Sequence, residues 1–177
     1  MVTIIFEAHG TTIDNEEHRA SGWSDAPLSE LGVKQAGELG ERYKNEHFDA
    51  IFCSDLSRSY KTGEIAFGDR EIDIIRDERL RECDYGDMTN HPSGEVNGQK
   101  GMRVRMPFPN GESYEQTTNR IEGFLKEIHT KYDNKKIMII GHRATQYGLE
   151  NIILRKPLEK VVTEPWKWQP GWKYELT

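Results

Sequence analysis

The sequence predicts an α/β fold: a three-layer α/β/α sandwich around a mainly parallel central sheet. Two apolar runs, Val2-Thr3-Ile4-Ile5-Phe6-Glu7-Ala8-His9 and Ile137-Met138-Ile139-Ile140-Gly141-His142, have the length and β-branched content of strands buried on both faces. Amphipathic helical segments alternate with strand-like runs along most of the chain, the pattern that right-handed crossovers wind into a parallel sheet. Each of the two runs also ends in a histidine, and such sheets bind ligands at the carboxyl ends of their strands. The two imidazoles are therefore expected to share one site.

The elements follow in order. After the first strand, Ser29 caps a helix whose Leu31, Ala36, Leu39 and Tyr43 fall on one face. Asp49 to Cys53 reads as the second strand, and a second helix opens after Ser54-Asp55 and runs towards Ala66. Ile72-Asp73-Ile74-Ile75 reads as a third strand. Residues 83 to 111 show no clear period, and in a compact chain an irregular stretch of that length signals an active-site excursion. From Ser113 a long helix carries Ile121, Phe124, Leu125, Ile128 and Tyr132 at helical spacing and leads into the strand ending in His142. Another helix continues to about Leu154. Trp166, Trp168 and Trp172, interspersed with Pro165 and Pro170, read as packing the C-terminal segment onto the core rather than as substrate contacts.

Composition bounds the function. The 177 residues suit one domain spanning 1–177 with a single well-buried core. Charged residues make up 31% and hydrophobic ones 35%, with no run long enough to cross a bilayer, so no membrane partner is expected. The first residues pattern as a strand and not as a signal peptide, which points to a cytoplasmic location. A net charge of −6 argues against a nucleic-acid partner. Cys53 and Cys83 lack a CxxC spacing and are expected to be free thiols. No HExxH or comparably dense ligand set supports a metal site. Oligomeric state has no signal in the sequence.

Four residues converge on the carboxyl edge of the expected sheet: His9, Arg58 in Ser54-Asp55-Leu56-Ser57-Arg58, Glu82 in Leu80-Arg81-Glu82-Cys83-Asp84-Tyr85-Gly86, and His142. At these residues the chain resembles the histidine phosphatase superfamily, also called phosphoglycerate mutase-like, whose signature is Arg-His-Gly followed by Thr and then Asn. The matching residues are Ala8-His9-Gly10-Thr11-Thr12 and Asn15. The likeness continues through Arg19 to Ser29, Gly32, Ser54 to Thr62, the Glu82 segment, Pro109-Asn110-Gly111-Glu112-Ser113 and Gly141-His142, in the family's order. The resemblance implies that His9 attacks phosphorus, that Glu82 protonates the leaving oxygen, and that Arg58 and His142 hold the phosphoryl oxygens. It further implies substrate contacts at Asn15, Ser21 and Gly22, a small phosphorylated substrate, and no cofactor.

The chemistry of these residue types agrees. A neutral imidazole near pH 7 carries a phosphoryl group well, which splits hydrolysis into two easier steps. A carboxyl group then protonates the leaving group and activates water, although Asp77, Glu78, Asp84 and Asp87 crowd the Glu82 segment and local sequence does not choose among them. Positive groups around the equatorial oxygens stabilise the charge spread in the transition state. One position departs from the pattern: Ala8 stands where the family has arginine. Losing one preorganised oxyanion donor costs about 10²–10³ in rate, so activity is expected to be reduced or retuned unless Arg143 or Arg19 supplies the charge. The short span from Glu82 to His142 resembles the phosphatase branch, because the mutases carry extra segments that shield the phosphohistidine from water. Phosphomonoester hydrolysis is the expected reaction. The alternatives are a weak or inactive phosphate-ligand binding protein on the same fold and a mutase-type phosphotransferase. Arg103 and Arg105 in the excursion read as water-facing.

Overall fold

A computed structural model describes all 177 residues. In chain order the elements are β1 (Val2–Ala8), α1 (Ile13–Glu16), α2 (Glu30–Arg42), β2 (Ala50–Cys53), α3 (Ser57–Phe67), β3 (Ile74–Arg76), α4 (Ser93–Gln99), α5 (Tyr114–Lys131), β4 (Lys136–Gly141), α6 (Arg143–Ile152), α7 (Leu158–Thr163) and β5 (Trp172–Leu176). The five strands form one sheet in the order β3-β2-β4-β1-β5, parallel except for β5.

The alternation of side chains along each strand divides the core in two. Ile137 and Ile139 of β4 join Val2, Ile4 and Phe6 of β1 under Ile121, Phe124, Leu125 and Ile128 of α5. Met138 and Ile140 face the other way, onto Leu39 and Tyr43 of the α2 side and Phe67 of α3. Both faces are therefore covered, as the uninterrupted apolar runs require. The buried stripe of α5 recurs at i, i+3, i+4 and i+7, and Ser113 with Gln116 closes a capping box at its start.

Three expectations are corrected, and one element is new. Leu31 is 47% exposed; the inner face of α2 is set instead by Gly32, where an added Cβ would lie 2.0 Å from the Thr11 carbonyl oxygen. The third strand begins at Ile74, not Ile72. Residues 83–111 are only partly irregular: α4 and two short 3₁₀ turns lie within them, and they help bury a separate cluster that includes Cys83, Tyr85, Val96, Val104 and Phe108. Each helical piece is too short to show a period. The new element is Trp172–Leu176, a strand antiparallel to β1 with Val2 opposite Leu176. Its Trp-Lys-Tyr-Glu-Leu alternation is a half-buried edge-strand signal.

Candidate active site

The parallel pairing of β1 with β4 places Ala8 opposite Gly141, and the His9 amide extends it by donating to the Gly141 carbonyl at 3.1 Å. This register delivers both imidazoles to one point: the His9 and His142 rings lie 5.0 Å apart between centroids, inclined at 58°. Gly10 turns the chain sharply against α2, where an added Cβ would meet the Gly32 carbonyl oxygen at 2.5 Å, and its amide donates to Thr62 Oγ1.

Hydrogen bonding fixes the chemistry of each ring. Nδ1 of His9 lies 2.7 Å from the Gly10 carbonyl oxygen, which accepts only, so Nδ1 carries the proton and Nε2 presents its lone pair to the cavity. Burial and the positive charge of Arg58 hold the His9 pKa down to about 3, against the opposing pull of the Gly10 carbonyl. His142 is 1% exposed, and its Nε2 lies 2.7 Å from Ser54 Oγ, while Nδ1 has no partner within the protein. Burial, Arg58 and His9 hold this ring well below the usual histidine range, hence neutral. With Nε2 engaged by Ser54, Nδ1 is the ring nitrogen left for a ligand.

Arg58, in the first turn of α3, is 2% exposed and is held by the carbonyls of Gly22 and Ser24 at 2.6 and 2.8 Å, with no carboxylate bonded to it. Glu82 accepts from the Cys83 amide through one oxygen, leaving the other free. Its backbone is clamped: the Glu82 carbonyl accepts from Trp23 Nε1 and from Arg120, whose guanidinium also holds the carbonyls of Arg79 and Arg81. Glu112 completes the clamp by accepting from Arg120 and from the Asp84 amide.

His9, Arg58, Glu82 and His142 all line one cavity of about 670 Å³, together with Asn15, Ser21 and Gly22. Of these last three, Asn15 Oδ1 is bonded to the Thr12 amide and the Ser21 hydroxyl to Asp14, so they shape the loop as well as the wall. Trp172 packs on Phe6 as expected, but Trp166 and Trp168 line the cavity; the edge pairing of β5 carries the segment before it past the end of β1. Arg103 and Arg105 bond to neighbouring surface groups outside the cavity. Cys53 and Cys83 are free and buried.

Comparison with known proteins identifies the family. The family model "Histidine phosphatase superfamily (branch 1)" matches residues 4–169. The chain belongs to that superfamily. It is 32% identical over 149 residues to the uncharacterized phosphatase PhoE of Bacillus subtilis, covering 84% of this chain and 76% of that one. It is 31% identical over 165 residues to the probable phosphoglycerate mutase GpmB of Proteus mirabilis, covering 89% and 77%. Among solved structures, Bacillus stearothermophilus YhfR superposes with a TM-score of 0.84 at 28% identity, covering 95% of this chain and 87% of that one. The superfamily members it resembles thus include phosphatases and phosphoglycerate mutases. The fold is the phosphoglycerate mutase-like α/β fold, and no helix is long and apolar enough to cross a membrane.

Against this histidine phosphatase frame, the arginines around Ala8 differ in their commitments. The cavity is lined by Arg19, Arg42, Arg58 and Arg143. Arg19 is engaged by Asp14 and Glu17, and Arg42 by Glu7. Arg143 makes no ion pair or hydrogen bond; its guanidinium rests over the Trp166 ring at 4.7 Å from the centroid. The sequence pattern marks this indole only as core packing, and its part in steadying the cation emerges from the fold.

Proposed function

We propose that the protein is a phosphomonoester hydrolase that works through a phosphohistidine on Nε2 of His9. The observation that carries this reading is the Gly10 carbonyl bond, which keeps Nε2 unprotonated and aimed into a cavity shared with Arg58, Glu82 and His142. In the first step the Nε2 lone pair forms a bond to phosphorus as the bond to the leaving oxygen breaks, and the Glu82 carboxyl gives its proton to that oxygen. In the second step the Glu82 carboxylate takes a proton from water, whose oxygen attacks phosphorus as the P–N bond breaks, releasing inorganic phosphate and restoring neutral His9. Arg58 and the Nδ1–H of His142 hold the phosphoryl oxygens throughout.

The rim supports transfer to water over transfer to a second organic substrate: Asn15, His18, Arg19 and Trp168 are exposed cavity-lining residues, which leaves the site open to solvent. The cation deficit at Ala8 falls to Arg143, the unpaired arginine, rather than to Arg19, which two carboxylates hold. Rapid quench with a labelled small phosphomonoester tests the reading. An acid-labile, base-stable phosphoprotein is expected at turnover rates and is lost in His9→Ala; an adduct persisting in that variant moves the nucleophile elsewhere, and phosphate affinity without turnover of any ester turns the reading to a binding protein.

A further inference from the structure

Beside the catalytic cavity lies a second one of about 380 Å³, lined by Asn97, Lys100, Arg143, Glu164 and Trp166 among others. The two cavities share Asn97, Arg143 and Trp166, so a ligand anchored at His9 reaches the second by passing the Arg143 guanidinium. Building on the hydrolase reading, we propose that Lys100 and Arg143 form a second anion-binding subsite, so that the natural substrate is a phosphomonoester bearing a second anionic group, a carboxylate or another phosphate.

Charge accounting carries this. The chain has 30 acidic residues against 24 Lys and Arg, so counter-charges are plentiful, yet neither Lys100 nor Arg143 has a carboxylate partner. The Lys100 ammonium donates to the Tyr147 hydroxyl at 2.9 Å, which uses one of its three donors. Arg143 spends only its face on Trp166, and that indole is itself fixed by donating from Nε1 to Gln146 Oε1 at 2.7 Å; the N–H edge stays free for an anion. Glu164, the acid on the second cavity wall, lies 3.6 Å from Lys160 instead.

These two cations are close enough to oppose each other. Burial and Arg143 push the Lys100 pKa down to about 8. Two neighbouring positive groups, one of them largely desolvated, are disfavoured without an anion between them. A ligand anion relieves both. The guanidinium, with five donors, faces the phosphoryl group on one side and the second anion on the other.

The test compares matched esters on the intact protein: ethyl phosphate, phosphoglycolate and ethylene glycol bisphosphate, with the three-carbon analogues of each to vary reach. The expected result is a kcat/KM at least ten-fold higher for one of the doubly anionic esters than for its neutral partner. Preference for the carboxylate alone, the bisphosphate alone, or both equally assigns the second group as carboxylate, phosphate or simple charge. Lys100→Met should collapse the preference and Lys100→Arg should retain it, which separates loss of charge from loss of fold. No preference at either length, or a preference that Lys100→Met leaves intact, overturns the subsite. If none of the esters turns over, the hydrolase reading fails by itself. The subsite is then judged by calorimetry, in which phosphoglycolate or the bisphosphate must bind more tightly than ethyl phosphate, and Lys100→Met must erase the difference.

Discussion

At the scale of single residues, protonation states make the sharpest predictions. Because His9 is held near 3, it is neutral at all higher pH and loses its nucleophilic lone pair only below that value. The acid limb of kcat/KM is then expected to follow the substrate's second phosphate ionisation, about 6, and to move when esters of different acidity are compared; a limb fixed across esters would place it on the enzyme. Glu82→Gln should slow alkyl phosphates far more than aryl phosphates, whose leaving groups need little protonation. Arg143→Met should lower kcat on phenyl phosphate by about a hundred-fold, and adding Ala8→Arg to that variant should restore most of it; no loss on removing Arg143 would leave the Ala8 deficit unmet. The meeting of His9, Arg58, Glu82 and His142 in one cavity was legible because each lies beyond a strand of the sheet. Their tuning was not: Ser54 bonds to His142, 88 positions away, and no local pattern encodes such a pair.

At the scale of elements, the site depends on how segments are held against each other. Arg120 of α5 reaches across to the carbonyls of Arg79, Arg81 and Glu82, so α5 positions Glu82 without touching the reacting atoms. Arg120→Met should cut kcat on alkyl phosphates by about ten-fold, part of the 10²–10⁴ that a general acid supplies, with KM and aryl turnover largely held. Equal losses on both ester types would indicate a structural role only. The Pro109-Asn110-Gly111-Glu112-Ser113 motif thus finds its use in the Glu112 side of this clamp, a role visible only once α5 and the Glu82 loop are brought together. Gly32→Ala should destabilise the protein and lower activity together, since its methyl group would overlap the Thr11 carbonyl and displace the loop that follows His9; unchanged thermal unfolding and kcat would refute the close approach. Leu31 misled because hydrophobic spacing cannot register a helix that seats itself by a glycine.

At the scale of the whole molecule, two-sided burial links stability to pH. His142 is neutral in the folded state well below the usual range, whereas an unfolded histidine protonates near 6.5. Unfolding therefore takes up a proton below about 6.5, and stability contributed by this residue falls as pH falls, by about 1.4 kcal/mol per pH unit. Urea unfolding from pH 7 to pH 4 should show this slope, and His142→Asn should shed about one proton's worth of it; identical slopes would mean the folded ring is already charged. The layered architecture was legible because strand and helix alternate and the central runs are apolar throughout. β5 escaped notice despite its alternation, since its partner β1 lies at the opposite end of the chain. That pairing has a consequence for biosynthesis. β1, which leads into the proposed nucleophile His9, leaves the ribosome early, but its sheet neighbours are Lys136–Gly141 and Trp172–Leu176. Through most of translation the strand has no native edge to dock on, and the histidine at its end is chemically ordinary. Only when the late segments arrive do burial, the second imidazole and the tryptophan wall close around it, so the site exists only as a property of the finished fold.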